Sequence, residues 1–130
     1  MATWIIPCNI RYYDVIGAFN RLNRIDWKQS TNIEPSDTVY IYVGKPYQAI
    51  LYKCRVTKAN LTSCEIDDSE FVLIGDNYVN YGNHMELQLE RVFMENQLSF
   101  SKLKQEGLKG YIQSPRRAND RIQKLLDSAE

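Results

Sequence analysis

DTVYIYVGKPYQAILYKCRVTK, residues 37–58, is the stretch on which the fold turns. Val39, Ile41 and Val43 alternate with Tyr40 and Tyr42, the period of two that sends successive side chains to opposite faces of a strand. Gly44-Lys45-Pro46 then turns the chain. A second alternating run follows, with Ile50, Tyr52, Cys54 and Val56 on one face and Leu51, Lys53 and Arg55 on the other. Two adjacent strands around a turn predict an antiparallel hairpin.

Working outward, TWIIPC (residues 3–8) reads as a first strand, with Pro7 suited to an edge or a strand's end. In RYYDVIGAFNRLNRI (11–25), Val15, Ile16, Phe19 and Leu22 recur at helical spacing, and several arginines and asparagines fall outside that stripe. IDWKQSTNI (25–33) fits neither period cleanly and reads as a polar loop carrying an indole. Beyond the hairpin, the acidic segment 63–84 is expected to hold a short strand around Phe71–Ile74. HMELQLERVF (84–93) alternates clearly. LSFSKLKQEG (98–107) predicts a short helix with Ser99 as N-cap and Gly107 at its end. YIQS (111–114) reads as a final strand, and NDRIQKLLDSA (119–129) as a helix capped by Asn119. The order β-α-β-β-β-β-α-β-α predicts one α+β domain over residues 1–130. Strands this apolar need a closed or covered sheet, and the expected architecture is a small, mostly antiparallel β-barrel with flanking helices.

Composition narrows the function. The chain has 130 residues, 44% of them hydrophobic, enough for one core. No apolar run approaches the roughly 20 residues that span a bilayer, so no membrane association is expected. MATWIIPCNI lacks the basic and apolar regions of a secretory signal. Cys8, Cys54 and Cys64 show no CxxC spacing and suit the reduced thiols of a cytoplasmic protein. With His84 as the only histidine, a zinc site has too few ligands. The acidic run Glu65–Glu70 lacks an EF-hand spacing. No metal or cofactor is therefore expected. GxSxG, Walker A, GxGxxG and HExxH patterns are absent, so no catalytic residues are assigned, and His84 is expected on the surface at the start of a strand. Charge sums to zero, unevenly: residues 1–60 hold eight Lys/Arg against four Asp/Glu, residues 61–100 one against eight, and residues 101–130 seven against four. Two basic ends around an acidic middle can build one positive face for a polyanion. Aromatics beside cations, as in Arg11-Tyr12-Tyr13, Trp27-Lys28 and Lys45-Pro46-Tyr47, suit stacking on bases and contact with phosphates.

In this order of elements the sequence resembles the EVE domains of the PUA-like superfamily, relatives of the YTH modified-adenine readers. TWIIPCN is similar to the family's opening strand, and DWKQS to its tryptophan-bearing loop. PSDTVYIYVG is similar to its "GD-x-hydrophobic-x-Tyr" strand, with Ser36 where glycine is common. AILYKCRVTK resembles the following strand, with tyrosine where glycine is common. GYIQSPRRAND is similar to the short "hydrophobic-Gln-x-Pro" turn before the last helix. Residues 61–83 match no part of the pattern. Similar modules are appended to bacterial restriction endonucleases. The resemblance implies a non-catalytic reader that holds a flipped, modified base, such as methylated cytosine in DNA, and acts with an effector protein such as a nuclease. It implies a base pocket walled by Trp27, with Asn9, Gln29, Ser30, Asn32 and either Tyr40 or Tyr42 contributing. It also implies phosphate contacts from Lys28, Lys45, Gln113, Ser114, Arg116 and Arg117. DNA is favoured over RNA, and a monomer is the default. A modified-RNA reader and a protein-interaction module are the competing readings.

Overall fold

The computed structural model describes residues 2–11, 13–28, 32–61, 84–108 and 110–129, with the Lys28 side chain excepted. Strand β1 (Thr3–Cys8) leads into helix α1 (Val15–Arg21), followed by β2 (Arg24–Lys28), β3 (Thr38–Val43), β4 (Ala49–Leu61) and β5 (His84–Val92). Helix α2 (Phe100–Gln105), the two-residue β6 (Arg116–Arg117) and helix α3 (Asp120–Ser128) complete the chain. The strands form one sheet in the order β2-β5-β4-β3-β1-β6.

The hairpin forms as read, with Thr38 opposite Arg55 and Val43 opposite Ala49. A register shift between Ile41 and Tyr42 interrupts it. The extra residue of a bulge changes which face the chain presents. That is why Ile50 joins the core on one face of the sheet, while Tyr52, Cys54 and Val56 join the core on the other. In β3 the alternation is clean. Val39, Ile41 and Val43 pack on the face covered by α1, through Val15, Ala18 and Phe19. Tyr40 and Tyr42 pack on the face covered by α2 and α3, through Leu103, Ile122 and Leu126.

Elsewhere the structure departs from expectation. The sheet is open, because β2 and β6 end it without pairing to each other; helices on both faces bury what a closed barrel would have buried. It is mostly antiparallel, as expected, with one parallel pairing, β1 with β3, from Thr3 opposite Thr38 to Cys8 opposite Val43. The connection from Asn9 to Asp37, with α1 inside it, is long enough for that crossover. Finally, the loop expected at Ile25–Lys28 is strand β2, paired with β5 so that Trp27 faces Met85 across the ladder. The strand expected at Tyr111–Ser114 moves to Arg116–Arg117, antiparallel to Trp4 and Ile5. The strand expected at Phe71–Ile74 lies outside the described residues.

Local signals set the helix ends. Asp14 Oδ1 accepts from the Gly17 N–H at 3.0 Å, Ser99 Oγ from Lys102 at 3.3 Å and Asn119 Oδ1 from Ile122 at 2.8 Å. Each satisfies a donor that the helix leaves without a partner. Gly107, at φ +94°, follows α2 in the left-handed region that a side chain resists. Pro7 sits where β6 no longer covers β1, so its missing N–H breaks no ladder.

Candidate nucleic-acid interface

The parallel strands β1 and β3 have two contrasting ends. At their amino ends the Asp37 carboxylate is buried and collects three donors: the Ala2 N–H at 2.9 Å, the Glu34 N–H at 3.0 Å and Trp4 Nε1 at 3.1 Å. Burial pushes the Asp37 carboxyl up, but these donors prevail and hold it below its ordinary value of 3.8. Ser36, just before it, stands at φ +77°, the left-handed conformation for which the resembling family's glycine is suited. This end is an anchor.

At their carboxyl ends the two strands part around an open cleft of about 620 Å³. Pro7, Cys8, Asn9 and Arg11 line it from β1 and the turn beyond, Tyr42, Gly44 and Lys45 from β3 and its turn, and Ile112 and Gln113 from the segment before β6. The volume falls within the roughly 300–1,000 Å³ common for ligand sites. Asn9 Oδ1 accepts from the Arg11 N–H at 2.9 Å, which fixes the side chain and leaves its amide N–H groups to donate. Arg11 and Lys45 are exposed cations at the rim. Burial, and then the neighbouring Tyr111 phenol, push the Tyr42 hydroxyl above its ordinary 10, so it remains a protonated donor. Cys8 is 2% exposed, and its thiol lies 3.8 Å from the Tyr13 carbonyl oxygen. Burial, with the Asp14 charge second, pushes that thiol up to about 12, so it is no thiolate nucleophile at neutral pH. The cleft offers hydrogen-bond donors, an aromatic wall and cations, a set suited to a flat, polar-edged, anionic ligand.

The structure thus brings Asn9, Tyr42, Lys45 and Gln113 together and disperses the other residues singled out in the sequence. Trp27 sits on β2, 6% exposed, its ring edge-on to Tyr13 at 5.3 Å. It is absent from the cleft lining, whereas the equally buried Tyr42 belongs to it. Tyr40 lies deeper under the same face as Tyr42, 1% exposed and stacked on Phe93. Asn32 and Ser114 are exposed and away from the cleft lining. Lys28 closes β2, and Gln29 and Ser30 lie outside the described residues. Arg117 is drawn to the Trp4 ring, 5.3 Å from its centroid. Arg116 donates to the Tyr111 carbonyl oxygen at 3.1 Å and so braces the segment that carries Ile112 and Gln113. His84 begins β5 as expected but is buried at 1%, not on the surface. Ile112 was missed, and Arg11 was read as a cation beside two tyrosines without being placed in the site.

Solved structures share this fold. A crystal structure of ASCH from Zymomonas mobilis superposes with a TM-score of 0.65 at 10% identity, covering 98% of this chain and 94% of that one. A protein from Pseudomonas syringae gives 0.65 at 14% identity, with 98% of each chain covered. Human THYN1 in complex with 5-methylcytosine-containing DNA gives 0.59 at 10% identity, covering 98% and 96%. The chain shares the fold of these structures. No family model matches the sequence, and no curated protein matches it either. In this fold the cleft opens beyond the carboxyl ends of two adjacent parallel strands, a place where open sheets commonly bind ligands.

Proposed function

We propose that this protein is a non-catalytic nucleic-acid-binding module that takes one unstacked base into the cleft between Asn9, Tyr42, Lys45 and Gln113. The observation that carries the reading is the convergence of these residues, from three separate chain segments, on a single cleft with cations at its rim. Extruding a base costs a few kcal/mol of stacking and pairing. Tyr42 supplies apolar surface against the base, Asn9 and Gln113 supply edge hydrogen bonds, and Arg11 and Lys45 meet the phosphates. The PUA-like fold, shared with a THYN1 structure that holds 5-methylcytosine-containing DNA, favours a modified base and DNA over RNA. Membership of the EVE family in particular is part of this proposal. A methyl group adds only about 1 kcal/mol of apolar burial, so selectivity for it rests on a close fit rather than on strong contacts. A consequence for the modified strand would fall to an effector protein such as a nuclease.

The test is titration of wild type, Asn9→Ala and Gln113→Ala with labelled single- and double-stranded DNA and RNA. The strands carry cytosine, 5-methylcytosine, adenine or N6-methyladenine. We expect one modified strand to bind best, and each variant to bind it at least about tenfold more weakly while remaining folded. Absence of binding to every strand at low salt would contradict the reading.

A further inference from the structure

Tyr111 is an anomaly among the aromatics. It is 68% exposed, yet its ring is not loose: it lies flat on Phe100, with centroids 5.3 Å apart and planes 8° from parallel. Phe100 in turn meets Tyr42, a cleft residue, at 6.2 Å and 63°. The three rings run in contact from the cleft wall to the surface. The next two residues after Tyr111, Ile112 and Gln113, line the cleft themselves. The Tyr111 backbone is held by the Arg116 guanidinium on its carbonyl oxygen. Lys104 Nζ lies 5.5 Å from the Phe100 centroid and places a cation beside the stack.

A ring stacked on one face and open to water on the other adds little to folding, because its outer face stays hydrated. What it offers is a pre-ordered flat apolar surface. Such surfaces bind bases without regard to sequence, because every base has a π face. Resting on the reading of the cleft above, we propose that the Tyr111–Phe100 pair is a stacking platform for the base next to the one held in the cleft. The protein would then grip a two-nucleotide step of a single strand. Lys104 and Arg116 supply the charge complement for the phosphates that accompany the second base. The cleft fixes which base is read, and the platform adds affinity that is indifferent to the neighbour's identity.

The experiment holds charge constant. Strands of equal length are made abasic except for one base, or except for two adjacent bases, so that each carries the same number of phosphates. Affinities are measured for wild type, Tyr111→Ala, Tyr111→Trp and Gln113→Ala, with folding checked by circular dichroism. In wild type the second base is expected to tighten binding by about 5- to 150-fold. Tyr111→Ala should abolish that gain while leaving one-base affinity unchanged, and Tyr111→Trp should keep the gain. An undiminished gain in Tyr111→Ala, or no gain in wild type, would overturn the platform. Failure of the cleft reading shows separately, as a one-base affinity that Gln113→Ala does not change.

Discussion

Two aromatic pairs in this protein have the same centroid separation and opposite circumstances. Tyr13 and Trp27 meet edge-on, 5.3 Å apart at 71°, and both are nearly inaccessible. Phe100 and Tyr111 meet face-on, 5.3 Å apart at 8°, with Tyr111 open to solvent. An edge-on contact sets the positive rim of one ring against the negative face of the other and is at home inside a core. A parallel stack leaves an outer face free for a third ring. The same residue chemistry therefore serves packing beneath α1 and, in the proposed reading, recognition beside the cleft.

Removing either pair separates the two roles. Trp27→Ala should cost about 3–5 kcal/mol of stability, read as a lower urea midpoint, while molecules that remain folded keep their affinity for oligonucleotides. Loss of affinity without loss of stability would move Trp27 from the core to the site. The anchor at the amino ends of β1 and β3 gives the next largest effect. Asp37→Asn should cost about 1.5–3 kcal/mol at neutral pH, because one amide oxygen replaces a carboxylate that accepts three N–H groups. The folded Asp37 titrates below its ordinary value of 3.8, so its contribution is complete above that pH and fades as pH falls through the lower folded value. The acid limb of wild-type unfolding should accordingly flatten in Asp37→Asn, and an unchanged acid limb would contradict the anchor.

At the carboxyl ends the expected effects fall on binding. Arg11→Ala and Lys45→Ala are exposed truncations and should leave stability within about 0.5 kcal/mol of wild type. Each should lower the slope of log affinity against log salt by about 1 if it meets a phosphate. The smallest change is a gain. Ser36→Gly relieves a left-handed residue and should stabilise the fold by about 1 kcal/mol, seen as a modest rise in Tm, with no effect on binding.

The fold was legible wherever a signal was local. The β3–β4 hairpin followed from alternation, and the caps at Ser99 and Asn119 followed from side chains that satisfy helix ends. Strand β2 was obscured because Ile25 and Trp27 alternate over only five residues and run straight into a polar stretch. The parallel pairing of β1 with β3 and the open sheet depend on contacts between distant segments, which periodicity does not record. The site was half legible for the same reason. Asn9, Tyr42, Lys45 and Gln113 each stood out beside turns, but only the folded chain brings them to one cleft. Tyr40 and Tyr42 share a face, so alternation could not separate them; depth along the strand does, with Tyr42 at its open end. Tyr111 carried no sequence signal, because exposure and a parallel neighbour exist only in three dimensions.

The most direct test of the account is a two-dimensional 1H–15N spectrum recorded while a short single strand carrying the preferred base is titrated in. Shifts should concentrate at Asn9, Arg11, Tyr42–Lys45 and Tyr111–Gln113, with the Trp27 indole N–H signal unmoved. A moving Trp27 indole signal with a silent cleft would contradict it and return the base site to the β2 edge.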